Sequence, residues 1–341
     1  MTQIINAWLL QGTYLAFICT LNQGYVGANC YHQEREPQTL DHTCHNSQLS
    51  PDQVMGYRRD GFVTVRGMLT AAEVALIREA IEKDASFHSD DTTIRLADDS
   101  GGATRLNLWS NPGNGTLGML TRSRRVVSSM RTLLGGEVLH YHSKTLIKEP
   151  HAGGKWNWHQ DYGYWYKDYF LLPKLATVYF AIDKQTAENG ALAVLNGSHE
   201  LGRIDHWTKG DQQGADLERV ALARARYAEL QLELAPGDAV FFDSLLLHTS
   251  PGNFSPLRRM AFASAFTVVD NEQFRRTGIQ YIPCWKVDEV DDALLIANGL
   301  SIEDAASKVM LGAQVGKAAA AKQWTNTGDE PPTAMEDTAM N

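Results

Sequence analysis

Gly-Lys-Trp-Asn-Trp-His-Gln-Asp-Tyr-Gly-Tyr-Trp, residues 154–165, contains His159 and Asp161 on either side of Gln160. Residues two apart in a β-strand point to the same side of the sheet, so a strand over 156–162 would aim His159 and Asp161 at one point. Two imidazoles and one carboxylate can hold Fe(II) on one face and leave positions open. The segment therefore predicts two of the three metal ligands. The third must come from another strand that lies over this one.

The third ligand is predicted at His248. It ends an apolar run, Phe-Phe-Asp-Ser-Leu-Leu-Leu-His at 241–248, with Pro236-Gly237 before the run and Pro251-Gly252 after it. Proline-glycine pairs favour turns, and the run between them is typical of a buried strand. We therefore expect a strand over 241–248 that ends at the ligand.

Arg259 lies eleven positions after His248, at the start of a third apolar run over 260–269. A guanidinium binds a carboxylate through two parallel hydrogen bonds, which orients a dicarboxylic molecule well. Ser250, two residues after His248, is placed to add a hydroxyl group. This pattern predicts a site for 2-oxoglutarate beside the metal.

A His-x-Asp tripeptide alone is a weak signal, because a histidine at a strand end can simply be a polar residue. The later histidine, serine and arginine make chance a poor explanation. Two alternatives stay open: a jelly-roll protein that binds metal or ligand without catalysis, and a cupin enzyme that uses zinc or iron without 2-oxoglutarate. Arg259 and Ser250 argue against the first, and the carboxylate ligand argues against the second.

The fold is predicted to be mainly β, with a double-stranded β-helix core, the jelly roll of cupin-like proteins. Apolar strands from Val138 to Val269 are broken by turns at Asn189-Gly190, Asn196-Gly197 and Pro236-Gly237. A charged, alanine-rich stretch over 211–230 predicts a helical insertion, either a surface helix or a lid over the substrate.

Helices are predicted before this core. Ser50 to Gln53 and Thr70 to Glu73 are capping boxes, with a short strand over Gly61 to Val65 between the two helices. A third helix is predicted over Met119 to Leu134, ending at Gly135. These helices are expected to pack on one sheet. Their arginines are predicted to form a solvated face: Arg122, Arg124, Arg125 and Arg131.

Four segments together resemble the phytanoyl-CoA dioxygenase family, and the resemblance covers roughly residues 50–285. The Trp-His-Gln-Asp-Tyr-Gly portion is nearest to the ectoine hydroxylases of that family. The segments are residues 154–165, Glu-Asn-Gly-Ala-Leu-Ala-Val-Leu-Asn-Gly-Ser-His at 188–199, Pro-Gly-Asp at 236–238 and His-Thr-Ser at 248–250.

The resemblance implies Fe(II) held by His159, Asp161 and His248, with 2-oxoglutarate and O2 as cosubstrates. It implies that Arg259 and Ser250 hold a carboxylate of 2-oxoglutarate, with Tyr179 against the cosubstrate. The implied reaction is hydroxylation of an unactivated C–H bond of a small molecule, with release of succinate and CO2.

Two positions depart from the ectoine hydroxylases. Leu146 stands where those enzymes have an asparagine, which argues against ectoine as the substrate. Asn196 replaces the proline of the usual Pro-Gly-Ser-His turn, a change of turn residue.

Composition limits the partners. A net charge of -9 without a concentrated basic run argues against nucleic acid, so small molecules are the expected partners. The four cysteines form neither a Cys-x-x-Cys pair nor a dense framework, so they predict neither zinc nor a disulfide scaffold. The sequence does not indicate the oligomeric state.

Three regions are predicted: an N-terminal extension at 1–46, one oxygenase domain at 47–311 and a disordered tail at 312–341. The extension lacks the basic start of a signal peptide and no stretch is apolar enough for a membrane span, so a cytoplasmic location is expected. Targeting by this extension stays open.

Weaker candidates surround the metal motif. An aromatic cluster is predicted either to wall the pocket or to lie in the core: Trp156, Trp158, Tyr162, Tyr164, Trp165, Tyr166 and Tyr169. Four polar residues are predicted to be exposed, with an anionic substrate as the alternative partner: Lys144, Lys148, Arg105 and Asn107. His199 and His206 are expected to satisfy turns rather than bind metal.

Overall fold

The computed structural model describes residues 48–98, 101–168, 170–209, 212–271, 273–274, 282–303 and 308. The predicted extension at 1–46 and the predicted tail at 312–341 lie outside the described residues, as does Tyr169. Among the described residues, no helix has the length and apolar character needed to cross a membrane.

Seven α-helices are described. They are α1 Pro51–Asp60, α2 Ala71–Lys83, α3 Thr116–Arg122, α4 Arg124–Leu134, α5 Asp161–Trp165, α6 Leu217–Arg226 and α7 Leu294–Ala297. Both predicted capping boxes are present, at Ser50 with Gln53 and at Thr70 with Glu73. Gly135 ends α4 in the left-handed conformation, as predicted.

Fourteen strands are described. They are β1 Phe62–Val65, β2 Thr93–Ala97, β3 Ala103–Trp109, β4 Val138–Lys148, β5 Trp156–His159, β6 Leu175–Ala181, β7 Ala193–Leu195, β8 His206–Lys209, β9 Gln212–Ala215, β10 Glu229–Gln231, β11 Ala239–Asp243, β12 His248–Ser250, β13 Arg259–Val268 and β14 Trp285–Lys286.

The strands form two principal antiparallel sheets. The larger sheet has the order β1-β11-β6-β13-β4-β3-β2, with β14 added beside β4, and the smaller has the order β10-β7-β12-β5. A hairpin of β8 and β9 is not paired into either sheet but packs against β5. The mainly β, cupin-like jelly roll predicted from the turn spacing is therefore confirmed.

The larger sheet separates two apolar layers. On one face, residues of α1 to α4 pack against alternate strand residues such as Phe241 and Phe262. On the other face, Tyr179, Ala261 and Ala263 pack towards Val194 of the smaller sheet. The prediction that the N-terminal helices cover one sheet is confirmed, and the space between the sheets is where the site forms.

Three predicted elements are interrupted in the structure. The strand over 156–162 ends at His159, and Asp161 starts α5. The run at 241–248 is split into β11 and β12, so His248 begins a strand rather than ending one. The helix over Met119 to Leu134 is broken at Ser123, whose backbone is extended.

The break at Ser123 has a local cause. The Ser123 hydroxyl donates to the carbonyl of Leu120 at 2.7 Å, and the next amide, of Arg124, donates to Val290 at 2.9 Å. A backbone amide that pairs with a distant segment cannot continue the helical ladder. Two shorter helices result.

The predicted solvated arginine face is wrong for two of its four members. Arg122 is buried, and Arg125 forms an ion pair with Glu73 in a mostly buried setting. Arg124 is exposed and Arg131 is partly exposed, in surface ion pairs.

The helical insertion predicted at 211–230 contains α6 between two short strands, and residue 211 lies outside the described residues.

Candidate metal centre and cosubstrate site

The predicted metal ligands meet between the two sheets. His159 and His248 are paired across β5 and β12, with ring centroids 4.0 Å apart. Asp161 Oδ1 lies 3.9 Å from Nε2 of each histidine. All three residues are buried, and they form the group that can hold a metal ion among the residues that the structure describes.

Hydrogen bonds fix which nitrogen of each histidine faces the centre. Nδ1 of His159 lies 2.7 Å from the carbonyl of Asn157, and Nδ1 of His248 lies 2.9 Å from that of Leu246. A carbonyl accepts, so each Nδ1 carries the proton and each Nε2 keeps its lone pair for a metal. Burial lowers the pKa of both imidazoles, which keeps them neutral.

Asp161 is held as a carboxylate. Burial raises its pKa, but Lys144, His248 and the Thr177 hydroxyl together keep that pKa below its ordinary value. Thr177 Oγ1 donates to Oδ2 at 2.9 Å, while Lys144 Nζ lies 3.7 Å from Oδ1. Two neutral imidazoles with one carboxylate fit a non-haem Fe(II) site.

Gln160 fixes the turn between the two ligands. Its backbone amide donates to Nε2 of His206 at 2.9 Å, and its side-chain oxygen accepts from the amide of Ile204 at 2.7 Å. Its side-chain amide donates to the carbonyls of Gly202 and Leu245. The prediction that His206 hydrogen-bonds to a turn is confirmed. The turn is the one at Gln160, and it positions Asp161.

The predicted carboxylate-binding residues also meet. Arg259 is 2% exposed, and its NH1 donates to Tyr179 Oη and Ser250 Oγ, each at 3.2 Å, and to the Gly190 carbonyl at 3.0 Å. All three partners are neutral, and no carboxylate among the described residues pairs with this guanidinium. A buried cation without a counter-charge is costly, so the arrangement suits an anionic ligand.

Small residues line the sheet between the arginine and the metal group. Across the β13–β4 register, Arg259, Ala261, Ala263 and Ala265 lie opposite Lys148, Leu146, Lys144 and His142 respectively. Phe262 and Phe266 point to the opposite face of the sheet, where they pack in the apolar layer beneath the helices. Two of these alanines, Ala261 and Ala263, lie between the level of Arg259 and that of Lys144, the lysine beside Asp161, and Ala265 lies one step further on, opposite His142.

The four polar residues predicted to be exposed are not exposed. Lys148 and Asn107 are fully buried, and Asn107 bonds to Thr93 and Thr145. Arg105 pairs with Glu149 at 2.7 Å and Lys144 lies beside Asp161. The prediction failed because all four lie on inner strands, where a paired or hydrogen-bonded polar group can be buried.

The aromatic cluster divides between pocket and core. Trp156 and Tyr164 have ring centroids 5.9 and 5.3 Å from that of His159. Tyr162 and Trp165 belong to a buried cluster, Trp158 is partly buried, and Tyr166 is exposed. The pocket interpretation therefore applies best to Trp156 and Tyr164.

Several contributing residues were missed by sequence reasoning. Thr177 and Gln160 hold Asp161, and Ser198 accepts from the amide of Leu247 at 2.9 Å, next to His248. The alternation of large and small residues in 260–266 was a readable signal for the inner face of β13. Thr177 carries no local signal, because its partner lies on another element.

A double-stranded β-helix with two histidines and one aspartate converging between its sheets defines a class of protein, the non-haem iron oxygenases. Residues 57–261 match the model of the family described as phytanoyl-CoA dioxygenase (PhyH). The chain belongs to the phytanoyl-CoA dioxygenase family.

Similar proteins support this placement. L-proline trans-4-hydroxylase of Streptomyces griseoviridis is 26% identical over 236 residues, which is 64% of this chain and 87% of that protein. Ectoine dioxygenase of Nocardia farcinica is 26% identical over 255 residues, which is 70% of this chain and 83% of that protein. EctD from S. alaskensis, solved with 2-oxoglutarate and 5-hydroxyectoine, has a TM-score of 0.59 at 22% identity over 79% of this chain and 92% of that chain.

The predicted family and enzyme class are confirmed: the chain is a 2-oxoglutarate-dependent dioxygenase, with iron, 2-oxoglutarate and O2 as the groups on which its class depends. The individual roles of the site residues stay predictions.

Proposed function

We propose that the protein is a hydroxylase that inserts oxygen into an unactivated C–H bond of a small polar molecule and releases succinate and CO2. The observation that carries this proposal is the placement of two sites along the inner face of one strand pair. The metal group lies beside Lys144, which is opposite Ala263. Arg259 lies four residues before Ala263 on the same face; it is buried and pairs with no carboxylate among the described residues.

His159, Asp161 and His248 would hold the iron. When bound, iron(II) supplies the activation of O2 that couples decarboxylation of 2-oxoglutarate to substrate oxidation. The protein orients the reactants and excludes water. Burial keeps both imidazoles neutral and Lys144 helps keep Asp161 ionised, so the three ligands are in the protonation states that a metal requires.

Arg259, Ser250 and Tyr179 would hold the distal carboxylate of 2-oxoglutarate. Arg259 NH1 already contacts both hydroxyl groups, so the three side chains form one continuous hydrogen-bonding surface. Tyr179 Oη donates to Gln185 at 2.9 Å in the structure, so its proton would have to turn away from Gln185 to reach a bound carboxylate. The contact of Tyr179 with Arg259 supports the role that the resemblance implies.

The strand β4 indicates where the substrate would bind. On its inner face, Lys148 lies opposite Arg259 and Lys144 lies beside Asp161. His142 lies two residues before Lys144, which is about 7 Å along a strand. If the cosubstrate spans from Arg259 to the metal, the substrate lies on the far side, at the level of His142. The ring of His142 meets that of Trp165 edge-on at 5.5 Å.

His142 favours a polar substrate. It is buried, and its Nδ1 has no hydrogen-bond partner among the described residues. A buried nitrogen without a partner is unfavourable, so a substrate that hydrogen-bonds to it is preferred over an alkyl chain. The named relatives act on L-proline and ectoine, both small and polar, which is consistent with this preference.

Leu146 does not distinguish among such substrates. It lies opposite Ala261, between the levels of Lys144 and Lys148, and packs with Tyr179. That position is beside the cosubstrate space and not at the level of His142. Leu146 therefore does not by itself argue against ectoine as the substrate.

The test is release of succinate from 2-oxoglutarate by the iron-loaded protein with a panel of free amino acids, cyclic imino acids and ectoine. We expect at least one polar compound to stimulate succinate release and to gain one oxygen atom in mass. A jelly-roll binding protein would bind iron and 2-oxoglutarate without releasing succinate above the protein-free rate, and that result would reject the hydroxylase.

A further inference from the structure

The turn between β11 and β12 is hydrogen-bonded to the segments of all three proposed metal ligands. The carbonyl of Leu246 accepts from Nδ1 of His248 at 2.9 Å. The carbonyl of Leu245 accepts at 2.7 Å from the side-chain amide of Gln160, the residue between the other two ligands. The carbonyl of Ser244 accepts at 2.8 Å from a backbone amide in the first turn of α5. Three consecutive carbonyls of one turn therefore hold the segments from which the ligands project.

Asp243 shapes this turn. Its Oδ1 accepts from the amide of Leu245 at 2.8 Å, and its backbone carbonyl accepts from the amide of Leu246 at 3.0 Å. An aspartate side chain that bonds the amide two residues later stabilises a turn locally. Asp243 is also the last residue of β11, where its own amide donates to the carbonyl of Gly61 at 2.8 Å. The residue therefore joins the strand to the turn.

Two further polar groups lie near the Asp243 carboxylate: the hydroxyl of Tyr57, in α1, and Nδ1 of His199. Both atoms are buried, and neither has a hydrogen-bond partner among the described residues. Burial, and next the charge of Asp243, raises the pKa of Tyr57. Burial also raises the pKa of Asp243, against the hydrogen bond from Leu245 and the charge of His199. The carboxylate thus lies where three separate parts of the chain meet.

We propose that Asp243 is a positioning residue for the metal centre: its carboxylate fixes the turn whose carbonyls orient His248 and hold the segment at Gln160. This inference rests on the proposed function, because it takes the two histidines and Asp161 to bind the metal. It goes beyond that function by giving a role to a residue outside the three ligands and outside the cosubstrate residues.

The effect would reach the metal through the histidine ring. Nδ1 of His248 must keep its proton for Nε2 to present a lone pair, and the Leu246 carbonyl holds that proton in place. Without the Asp243 carboxylate, the partly buried amide of Leu245 loses its acceptor. An unpaired amide in such a setting is unfavourable, so the turn shifts until the amide finds another partner. The neighbouring Leu246 carbonyl shifts with it, and the His248 ring loses its fixed orientation.

The competing interpretation is purely structural: Asp243 only ends β11 and stabilises the fold. Both interpretations predict a less stable protein when the carboxylate is removed, but only the positioning role predicts a change at the metal centre. His159 provides an internal control, because its Nδ1 bonds to the carbonyl of Asn157 within β5 and not to the turn.

The first experiment is titration of the metal-free protein with Mn(II), followed by electron paramagnetic resonance of the free ion. We expect Asp243→Ala to weaken Mn(II) binding about tenfold or more, as is typical when a ligand loses its outer support. Asp243→Asn keeps an oxygen acceptor for the Leu245 amide and should bind nearly like wild type.

The matched control is Asp84→Ala. Asp84 is also buried and its Oδ1 also accepts from the amide two residues later, that of Ser86, at 3.0 Å, but it lies at the end of α2. Its substitution should lower the melting temperature without weakening Mn(II) binding. If Asp84→Ala weakens Mn(II) binding as much as Asp243→Ala does, the loss reflects stability alone and the proposal is overturned.

The second experiment is nuclear magnetic resonance of the Zn(II)-loaded protein, with the Nδ1 protons assigned by substituting each histidine in turn. In Asp243→Ala the Nδ1 proton of His248 should exchange faster with solvent, whereas that of His159 should exchange as in wild type. Unchanged exchange of both protons, with wild-type Mn(II) affinity and a lower melting temperature, would establish the structural role. If Asp243→Ala does not fold, Asp243→Glu makes the same comparison, because it keeps the charge but moves the carboxylate away from the Leu245 amide.

The two levels of inference fail in different ways. If the wild-type protein does not bind Mn(II), the proposed function is wrong. If wild type binds Mn(II) and Asp243→Ala binds it equally well, the proposed function stands and the role of Asp243 is wrong.

Discussion

The hydroxyl of Thr177 is the strongest example of control by a single atom at the metal group. It donates to the oxygen of Asp161 that does not face the histidines, which leaves Oδ1 to face them. Residues that hold a ligand from outside the coordination sphere typically contribute about tenfold to a hundredfold to metal affinity.

We predict that Thr177→Val weakens Fe(II) or Mn(II) binding by about tenfold to a hundredfold, because Asp161 loses the donor that fixes its rotamer. Metal titration under anaerobic conditions measures this. Thr132→Val is the matched control, since that hydroxyl only bonds within α4 at the surface. Equal metal affinity of Thr177→Val and wild type would contradict the positioning role.

Asp161 itself provides the second prediction. Asp161→Ala should lower succinate release by more than about a hundredfold, since loss of an outer partner alone costs about ten- to a hundredfold. The fold should persist, because the two apolar layers on the faces of the larger sheet do not include this carboxylate. Succinate release and circular dichroism measure the two effects, and turnover near the wild-type rate would exclude Asp161 as a ligand.

Individual site residues could be predicted from the sequence where their spacing along the chain carried the signal. His159, Asp161, His248, Ser250 and Arg259 were each predicted and lie together. Thr177 and His142 were not predicted as site residues, because their partners come from elements distant in sequence. Burial of Lys148 was also missed, since a lysine on a strand usually points to solvent.

At the scale of the element, α5 depends on a glycine. A Cβ added to Gly163 would overlap the imidazole of His206, which accepts the hydrogen bond from the amide of Gln160. The close approach of α5 to this histidine therefore requires a residue without a side chain. The same contact controls the position from which Asp161 starts the helix.

We predict that Gly163→Ala lowers the free energy of unfolding by about 1 to 3 kcal/mol, as overpacking does, and also weakens metal binding. Urea denaturation and metal titration measure the two effects. Gly56→Ala in α1 is the control: its added Cβ meets no atom within 4 Å, so it should stabilise by about 0.5 to 1 kcal/mol. A Gly163→Ala protein with wild-type stability and metal affinity would contradict the packing argument.

The strand boundaries around the ligands were wrong for a physical reason. Alternation alone predicts a strand through 156–162. In the structure, however, the backbone amide of Gln160 donates to His206, and its side-chain amide bonds to the backbones of Gly202, Leu245 and Ile204. These bonds replace the sheet ladder and turn the chain. Both ligands still converge because the turn brings Asp161 towards the metal side, which a pattern of period two does not reveal.

At the scale of the whole molecule, buried histidines couple stability to pH. Burial lowers the pKa of His140 to about 3 and that of His206 to about 4. The unfolded chain takes up a proton on each near pH 6.5, whereas the folded protein does not, so each destabilises the fold as pH falls below that value. Burial raises the pKa of Asp168 to about 7, which acts in the opposite direction.

Because these effects oppose one another, the prediction concerns His140 alone. Between pH 7.5 and 5.0 the contribution of His140 to the free energy of unfolding should fall by about 2 kcal/mol. The slope is about 1.4 kcal/mol per pH unit below pH 6.5. His140→Asn should therefore lose about 2 kcal/mol less than wild type over this interval, measured by urea denaturation at both pH values. Identical losses would show that His140 is not held neutral by the fold.

The jelly roll and its helical cover were predictable as a whole, because turn dipeptides and apolar runs mark strands locally. The order of strands in the two sheets was not, since it depends on pairings between distant segments such as β1 with β11. The extension at 1–46, the tail at 312–341, the cytoplasmic location and the choice between a surface helix and a lid at 211–230 stay predictions.

Under the proposed function, the region between the two sheets holds iron at one end and the distal carboxylate of 2-oxoglutarate at the other. The most direct test is an anaerobic titration of the protein with Fe(II) and then 2-oxoglutarate, followed by visible absorption. We expect the weak charge-transfer band of the chelate in wild type and its loss in His248→Ala. Iron binding without that band in the wild-type protein would contradict the account.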